Sequence, residues 1–486
     1  MRRWLHRASL CFLAAGALPA QAVYINTRGT GQALIYPYYT VNAGQQTIFS
    51  VVNTTDRAKL LSVAFREAYN GRLVLRFDVI VGAHDTWNAT TFAPQVDVTN
   101  GTALGVRDDS CTIPRASEWT GVIGGAPYQE FLPFDYTGSA ADGGPTGVSR
   151  MREGYFDIIE RAELGGALAT AANERNCAAF DPLTALVGNP ALTPPGGGLR
   201  GSFAVVNIAQ GTILGGNATA IDGFSTTVLL SATIPPIEYD TFAAVNAGGG
   251  NVSAQVPVGG KLVDLTFPPA RSVDALSALL MTDSLLGDVT NEAGLGSHSE
   301  WIITAPTKRF HTDPDRALTQ IAPFTSQFGF PHANASCVPF SATLHDRTGR
   351  SIAVPPDFVF STSPPLQLPQ HALCHAMDVV SFGSPVGPSG TPVLGSAFGT
   401  HVGNPTPATE TGALELKLGD VGGTRSHLPA GSSGPGLRGL PVIGFEAIRY
   451  VNANVMPGVL ANYTLGRPLN TTANCTSPSG AAIACP

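Results

Sequence analysis

Residues 60–81 read LLSVAFREAYNGRLVLRFDVIV and predict a β-hairpin, which sets the fold class of the chain. Apolar residues alternate with other residues over 60–67 and again over 73–81, as in two strands that each bury one face. Asn70-Gly71 lies between them, and this dipeptide favours a tight hairpin turn because both residues tolerate positive φ. The segment therefore predicts two antiparallel strands that are neighbours in one sheet.

Further strand-like segments precede this hairpin. Residues 32–41 are aromatic and β-branched, and Pro37 predicts an edge strand or a β-bulge because proline cannot donate a ladder hydrogen bond. Residues 47–53 form another such segment, which ends in a polar turn. Several short strands at this spacing are typical of an immunoglobulin-like β-sandwich. The sequence predicts a first domain of this kind over residues 23–105.

Residues 106–486 predict a larger β-rich unit. Two short helices are expected within it, near 167–179, which is rich in Ala and contains no proline, and near 273–285, where Ser272 is a candidate N-cap. The predicted fold class is mainly β, with immunoglobulin-like β-sandwich domains and two short inserted helices. The strands expected in this unit are 154–163, 199–208, 226–234, 301–304, 413–418 and 440–451.

The composition favours short strands joined by many turns. Of the 486 residues 43% are hydrophobic, which suffices for packed cores, but only 13% are charged. The 55 glycines and 38 prolines favour a fold with many turns over a helical bundle. The net charge is −7 and no Lys/Arg cluster follows the first residues, so nucleic acid is not an expected partner. No apolar stretch after residue 22 has the roughly 20 residues that a transmembrane helix needs.

Residues 1–22 have the three parts of a cleavable signal peptide. A basic start with Arg2, Arg3 and Arg7 is followed by a short apolar run over 8–18 and then by Ala20-Gln21-Ala22, whose small residues suit signal peptidase. The chain is therefore expected to be exported and to act as a secreted or outer cell-surface protein, with the periplasm as an alternative.

The cysteine count agrees with export. Of the 7 cysteines Cys11 lies in the leader, and the even number that remains is typical of an oxidising compartment. All of these are expected to form disulfides, and pairing neighbours would keep every loop local, although the sequence leaves the connectivity open. The absence of a Cys-x-x-Cys pair excludes zinc-ribbon and thioredoxin-like sites. The predicted disulfide cysteines are Cys111, Cys177, Cys337, Cys374, Cys475 and Cys485.

Several phrases of the sequence carry a resemblance. They include GQALIYPYYT at 31–40, EWIITAPTKRF at 300–310, LPVIGF at 440–445 and PGVLANY at 457–463. With these phrases the chain resembles a group of exported, functionally uncharacterised proteobacterial cell-surface proteins. The resemblance implies an exported β-rich protein, and it transfers no catalytic or binding residue.

Few patterns point to chemistry. Serine-hydrolase, P-loop and dinucleotide-binding motifs are absent, and the sequence predicts no catalytic residue, no cofactor and no metal site. His371 and His375 flank Cys374 at a spacing that would place both on one helix face as metal ligands, but Cys374 is better interpreted as half of a disulfide. The pairs Asp108-Asp109 and Asp283/Asp288 are alternative carboxylates for glycoside hydrolysis, and solvated acidic loops are the simpler interpretation.

Aromatic and basic residues leave two further alternatives open. A group of aromatic residues fills the core or, as an alternative, forms a platform on which sugars stack. Lys308-Arg309 either ends a strand in solvent or contacts an anionic polymer. The aromatic group consists of Tyr36, Tyr38, Tyr39, Trp87 and Trp119.

The expected function is that of an exported, non-enzymatic structural or interaction protein of the bacterial surface. It would act through β-sandwich modules in assembly or adhesion, with other copies of itself or cell-surface components as partners. One route to assembly is the pairing of residues 23–41 with an open sheet edge of a neighbouring copy. The alternatives are a secreted polysaccharide hydrolase and a carbohydrate-binding module.

Overall fold

The computed structural model shows a mainly β protein, as predicted, with 46% of residues in strands and 12% in helices. It describes the following residues: 22–94, 101–233, 237–239, 250–316, 321–329, 335–356, 368–384, 386–403, 409–421, 424–452, 456, 459 and 461–486.

In its described residues, the first part of the chain contributes strands to two large sheets, together with an α-helix. In chain order these elements are β1 (Val23–Ile25), β2 (Ala33–Thr40), β3 (Gln46–Asn53), β4 (Ala58–Glu67), β5 (Leu73–Val81), β6 (Thr86–Phe92), β7 (Ala103–Val106), β8 (Cys111–Ile113), β9 (Gly121–Ile123), β10 (Ala126–Glu130), β11 (Glu153–Leu164), α1 (Gly166–Asn173), β12 (Leu192–Thr193), β13 (Leu199–Asn207), β14 (Thr212–Asn217), β15 (Thr219–Asp222), β16 (Val252–Val258) and β17 (Lys261–Phe267).

These strands form two sheets that face each other. Sheet I has the order β17-β16-β1-β15-β2-β11-β4-β5-β8, with β12 beside β11, and sheet II has the order β14-β13-β3-β6-β7-β10-β9. Aromatic rings of both sheets meet in one core: the ring centroid of Phe49 on sheet II lies 5.7 Å from Phe65 and 4.5 Å from Phe156 on sheet I. The two sheets therefore make a β-sandwich with an aromatic centre.

The predicted hairpin is confirmed, and so is one of the two alternatives for Pro37. β4 pairs antiparallel with β5, and Gly71 adopts a φ of +70° in the turn between them. β2 lies between β15 and β11 rather than at an edge. Tyr36 pairs with Phe156 and Tyr39 with Gly154, so two residues of β2 oppose one of β11 and Pro37 lies in a β-bulge.

The boundary predicted near residue 105 falls inside this sandwich. β11 lies between β2 and β4 in sheet I, and β13 pairs with β3 in sheet II. Both sheets therefore contain strands from each side of residue 105. Apolar alternation shows which face of a strand is buried but not which distant strand pairs with it.

Both predicted helices are present but shorter than expected. α1 ends at Asn173 because Arg175 adopts a left-handed φ of +58°, which a helix cannot continue. The second helix ends at Leu280 instead of 285, since residues 281–282 pair with a later strand. Ser272 is itself helical and its side chain makes no capping hydrogen bond, so the predicted N-cap is wrong. Residues 226–233 form no strand, contrary to the prediction.

The second part of the chain contributes mostly short strands. In chain order its elements are α2 (Val273–Leu280), β18 (Met281–Thr282), β19 (Ser284–Thr290), β20 (Ser297–Thr304), α3 (Lys308–Thr312), β21 (Val338–Pro339), β22 (Ser341–Asp346), β23 (Ser351–Val354), β24 (Ala372–Leu373), β25 (Met377–Phe382), β26 (Gly399–Val402), β27 (Thr411–Lys417), β28 (Asp420–Val421), β29 (Thr424–Arg425), β30 (His427–Leu428), β31 (Gly436–Arg438), β32 (Leu440–Pro441), β33 (Ile443–Tyr450), β34 (Tyr463–Pro468), β35 (Asn470–Thr472) and β36 (Asn474–Thr476).

Two five-stranded sheets make up most of this part. Sheet III has the order β23-β22-β27-β19-β35, and sheet IV has the order β26-β25-β20-β33-β34. Trp301 of sheet IV and Leu414 of sheet III are buried in one core, so these sheets form a second sandwich. The opposite face of sheet IV packs on the first sandwich, where Phe445 joins the core that holds Tyr38.

We call the contact between the two sandwiches the seam. Thr304 of β20 donates to the backbone oxygen of Pro37 (2.6 Å), and Arg72 forms an ion pair with Asp313 (2.8 Å). Two fully buried carboxyl groups, Glu153 from β11 and Glu300 from β20, also lie in the seam. They hold the backbone of segment 391–397, which lies between β25 and β26.

Each carboxyl group of the seam accepts several hydrogen bonds from its surroundings. Glu300 accepts from the Thr391 hydroxyl (2.9 Å) and from the backbone N–H groups of Val393 and Leu394. Glu153 accepts from the backbone N–H of Ala397 (2.8 Å) and from the Tyr38 hydroxyl (3.3 Å). Burial nevertheless raises the pKa of each glutamate to about 7, because the charged form loses its hydration.

Candidate functional site

The outer face of sheet II combines polar and apolar side chains, because its strands bury alternate residues. Phe49 on β3 and Trp87 on β6 point into the sandwich core and are buried. Their neighbours Ile48 and Asn88 point outward, and Ile48 is 44% exposed. This period of two follows from the pleat of a strand.

A groove lies on this outer face, across β3, β6, β7, β10 and β9. Its volume of about 570 Å³ lies within the range of about 300–1,000 Å³ that is typical of ligand sites. The groove combines amide, hydroxyl, charged, aromatic and aliphatic side chains. It is lined by Gln46, Ile48, Asn88, Ala89, Thr90, Phe92, Gly105, Arg107, Asp108, Ile123, Ala126 and Tyr128.

Two aromatic rings of the groove lie against glycines. A Cβ atom added to Gly105 would approach the Phe92 ring to 3.1 Å, and one added to Gly121 would approach the Tyr128 ring to 2.9 Å. The rings meet edge to face with their centroids 6.0 Å apart. Because glycine leaves the space above these strands empty, the rings lie low and the groove stays open above them.

The β9–β10 hairpin forms one wall of the groove. Gly124 and Gly125 make its turn with φ values of +57° and +81°, which suit glycine far better than other residues. The Arg107 guanidinium donates to the backbone oxygen of Gly124 (3.3 Å) and so ties the hairpin tip to the segment after β7. Asp108 accepts the backbone N–H of Ser110 (2.8 Å), which fixes the carboxylate at the same end of the groove.

The groove offers hydrogen-bonding and apolar side chains and few titratable groups. The residues that line it include one cation, Arg107, and one anion, Asp108, and they include no Ser, Cys, His or Lys. Neither a nucleophile with an adjacent base nor a second carboxylate for acid–base chemistry lines it. The amides of Gln46 and Asn88 both donate and accept hydrogen bonds, so the groove can bind a polar ligand.

The aromatic residues that could have formed a sugar-stacking platform fill the core instead. Tyr36, Tyr38, Tyr39 and Trp87 are fully buried, and Trp119 is 8% exposed. The Tyr36 ring stacks on Phe156 with centroids 4.2 Å apart, and the Trp119 ring packs edge to face on Phe77. The sandwich core takes these residues because large rings release the most water on burial.

The histidine pattern around Cys374 does not converge on a metal. The His371 ring stacks on Phe340, whereas the Nδ1 atom of His375 lies 2.7 Å from Asp378 Oδ1. Cys374 is bonded to Cys337. Among the described residues, no group of three or more His, Cys, Asp or Glu is placed to hold a metal ion.

The histidine and aspartate of this pair line a smaller cavity of about 260 Å³ together with His401. Asp378 also accepts the backbone N–H of His375 (2.9 Å), and the imidazole packs between Tyr69 and Phe398. The carboxylate thus fixes both the local turn and the ring.

Most of the candidate carboxylates for glycoside hydrolysis are held in ion pairs. The Asp109 carboxylate pairs with Arg175 (3.2 Å), while Asp108 faces the groove. Asp283 forms two hydrogen bonds with Arg438, and Asp288 pairs with Arg467. Asp109, Asp283 and Asp288 therefore each pair with a different arginine, whereas a glycosidase uses two carboxyl groups across one cleft.

Lys308 and Arg309 are both buried and do not lie at a solvated strand end. Both belong to α3, where Lys308 donates to the backbone oxygens of Leu373 (3.2 Å) and His375 (2.9 Å). Burial lowers the pKa of Lys308 to about 8. Arg309 pairs with Asp135 across the seam (3.2 Å). Neither residue is exposed to an external polymer.

The six predicted disulfide cysteines form three bonds between sequence neighbours. Cys111 is bonded to Cys177, Cys337 to Cys374 and Cys475 to Cys485. The first joins β8 to the segment after α1, and the last joins β36 to residues near position 486. In the described part of the chain no helix is long and apolar enough to cross a bilayer.

Residues 23–41 lie inside the chain's own sheet. β1 pairs with β15 on one side and with β16 on the other, and β2 pairs with β15 and β11. Neither strand therefore offers a free edge to a neighbouring copy.

The groove was not predicted from the sequence, although the sequence does indicate which side chains of two of its strands point outward. The alternation of Gln46 and Ile48 with buried residues, and of Asn88 and Thr90 with buried residues, indicates which side chains point outward. The spacing does not indicate that β7, β10 and β9 continue the same face.

Comparison with protein-family models, curated proteins and solved structures finds no match for this chain.

Proposed function

We propose that the chain is an exported, non-enzymatic interaction protein of the bacterial surface that binds a surface component in the groove on sheet II. The groove is the observation that carries the proposal: it is open to solvent, of ligand size, and lined by hydrogen-bonding and apolar side chains without a catalytic set. Adhesion fits this geometry better than assembly by donation of residues 23–41, since those strands are already paired.

Export is part of the proposal and has its own support. The three disulfides are typical of an oxidising compartment, and the leader-like residues 1–22 precede them. A place outside the cell or in the periplasm, a relation to the exported proteobacterial group, and an immunoglobulin-like type for the two sandwiches are the finer parts of the proposal. A polymer hydrolase is the alternative, and the separate carboxylate pairings do not favour it.

The test uses fluorescently labelled mature protein, beginning at Val23, and intact Gram-negative cells. We expect Asn88→Ala and Phe92→Ala each to weaken cell binding by about tenfold, since central side chains of a binding site dominate its affinity. Asn217→Ala on the same sheet face and Phe134→Ala on a loop are matched controls outside the groove and should bind as the unchanged protein does.

Two results would overturn the proposed function. One is that the unchanged protein does not bind to cells, and the other is that the groove variants and the control variants bind equally well. Far-UV circular dichroism of all four variants checks that the β-fold is retained, so a loss of binding is not a loss of structure.

A further inference from the structure

We infer that the ligand of the groove is an uncharged saccharide segment. This inference rests on the proposed function and adds the chemical class of the ligand. It is drawn from four properties of the groove: its hydrogen-bonding groups, its apolar surfaces, its charge and its position on a sheet face.

The hydrogen-bonding groups of the groove suit hydroxyl groups. Gln46 and Asn88 present amides and Thr90 a hydroxyl, each of which both donates and accepts. A saccharide hydroxyl also does both, so adjacent hydroxyls on one ring match two such side chains. A ligand with only acceptors or only donors would leave part of each side chain unpaired.

The apolar surfaces of the groove suit the C–H faces of a sugar ring. Phe92 is partly exposed, and Ile48 is among the more exposed large apolar residues of the protein. They lie on the same face of sheet II as Asn88 and Thr90, within the lining of one groove. A sugar ring has this same combination of an apolar face and a polar rim, whereas an acyl chain would leave the amides without partners.

The charges of the groove disfavour polyanions. Arg107 and Asp108 balance each other within the lining, so no net positive field attracts phosphate, sulfate or uronate groups.

The position of the groove on a sheet face disfavours an extended peptide as the ligand. β3, β6, β7 and β10 are paired on both sides, and β9, which lies at the sheet edge, has only 3 residues. The groove therefore offers little backbone for the strand addition by which many extended peptides bind.

The experiment repeats the cell-binding measurement on cells treated in two ways. Sodium periodate cleaves vicinal diols and so destroys most saccharides, while proteinase K removes exposed protein. We expect periodate to reduce binding of the unchanged protein by about tenfold or more and proteinase K to leave it within about twofold. The Asn217→Ala control should respond as the unchanged protein does.

The outcomes separate this inference from the proposed function. Loss of binding after proteinase K but not after periodate, with Asn88→Ala still deficient on untreated cells, overturns the saccharide and leaves the groove as a protein-binding site. Equal binding by Asn88→Ala and Asn217→Ala overturns both. If binding falls more than about tenfold between low and high salt, the ligand is not uncharged, because anionic polymers bind with strong salt dependence.

Discussion

The groove on sheet II and the seam between the sandwiches use polar side chains in opposite ways. In the groove, Asn88 and Arg107 are exposed, and the lining contains one carboxylate and one cation. In the seam, Arg72 and Glu300 are almost completely removed from water, and each is held by several partners. The same residue types thus line an open groove in one region and contribute to internal cohesion in the other.

Many of the charged residues of this chain are used as those of the seam are. Only 13% of the residues are charged, and many of those that are present lie inside the protein in ion pairs and hydrogen-bonded clusters. Examples are Lys59 with Glu160 (2.8 Å) and Arg150 with Glu67 (3.0 Å), all fully buried. A buried charge that loses its partner costs far more free energy than an exposed one, so the two regions should respond very differently to equivalent substitutions.

The largest expected effect comes from removing a cation of the seam. Arg72→Ala leaves the buried Asp313 with Arg309 alone (3.4 Å), so we expect the free energy of unfolding to fall by about 3 kcal/mol, the lower end for a broken buried pair. Arg107→Ala in the groove is the matched control and should change it by less than about 0.5 kcal/mol. Urea denaturation followed by tryptophan fluorescence measures both. Equal effects of the two substitutions would contradict the contrast between the regions.

The second effect is a pH dependence that belongs to the seam. The pKa of Glu153 is raised by burial to about 7 in the folded protein, above its ordinary value, so folding favours the protonated group. The contribution of Glu153 to stability is therefore present in full at a pH below the pKa that this group has in the unfolded chain. It is lost as the pH rises through about 7, the pKa of the group in the folded protein. Relative to Glu153→Gln, the unchanged protein should lose about 2 kcal/mol between about pH 5 and pH 8.

Denaturation curves at several pH values test this prediction. The amide that Glu153→Gln introduces retains an oxygen that accepts the Ala397 N–H, and the Tyr38 hydroxyl can turn to accept from the amide nitrogen. The groove variant Asn88→Ala removes no titrating group and should keep the pH dependence of the unchanged protein. A difference between the unchanged protein and Glu153→Gln that does not vary with pH would show that Glu153 does not titrate differently on folding.

Local features of the fold could be predicted, and the pairing of distant segments could not. The hairpin around Asn70-Gly71 follows from the geometry of single residues, which the sequence displays directly. Pro37 likewise indicates an irregular strand, although the sequence does not decide between an edge strand and the bulge that is observed. The sequence does not show that β11 enters between β2 and β4, because any buried strand of suitable length could occupy that place.

The candidate site was harder to predict for a related reason. Trp87 and the tyrosines of β2 attract attention as binding aromatics, but their size gives them the greatest gain from burial, and the core takes them. The groove depends instead on Phe92 and Tyr128 lying over Gly105 and Gly121, which is a juxtaposition of four strands. Such a surface becomes visible only when the order of the strands is known.

The third effect tests how the glycines keep the groove open. A Cβ atom on Gly121 would lie 2.9 Å from the Tyr128 ring, so Gly121→Ala must displace that ring toward the groove. We expect a loss of about 1 kcal/mol in stability relative to Gly294→Ala, whose added Cβ meets open space and whose φ is not positive. Cell binding should weaken with Gly121→Ala only. Equal stability and equal binding of the two variants would show that the ring does not depend on this glycine.

The smallest expected effect is the change in stability caused by Asn88→Ala, a groove variant that we expect to weaken binding directly. Asn88 is exposed on β6, and no side-chain hydrogen bond of Asn88 to the rest of the described chain supports the fold, so Asn88→Ala should change the free energy of unfolding by less than about 0.5 kcal/mol. If Asn88→Ala weakens cell binding without lowering stability, the Asn88 side chain acts on the ligand and not on the fold. Asn217→Ala, exposed on the same face, should be equally neutral in stability and also neutral in cell binding. If Asn88→Ala instead destabilises the protein as much as Gly121→Ala does, Asn88 is part of the scaffold, and the contrast between an open groove and a cohesive seam does not hold at this position.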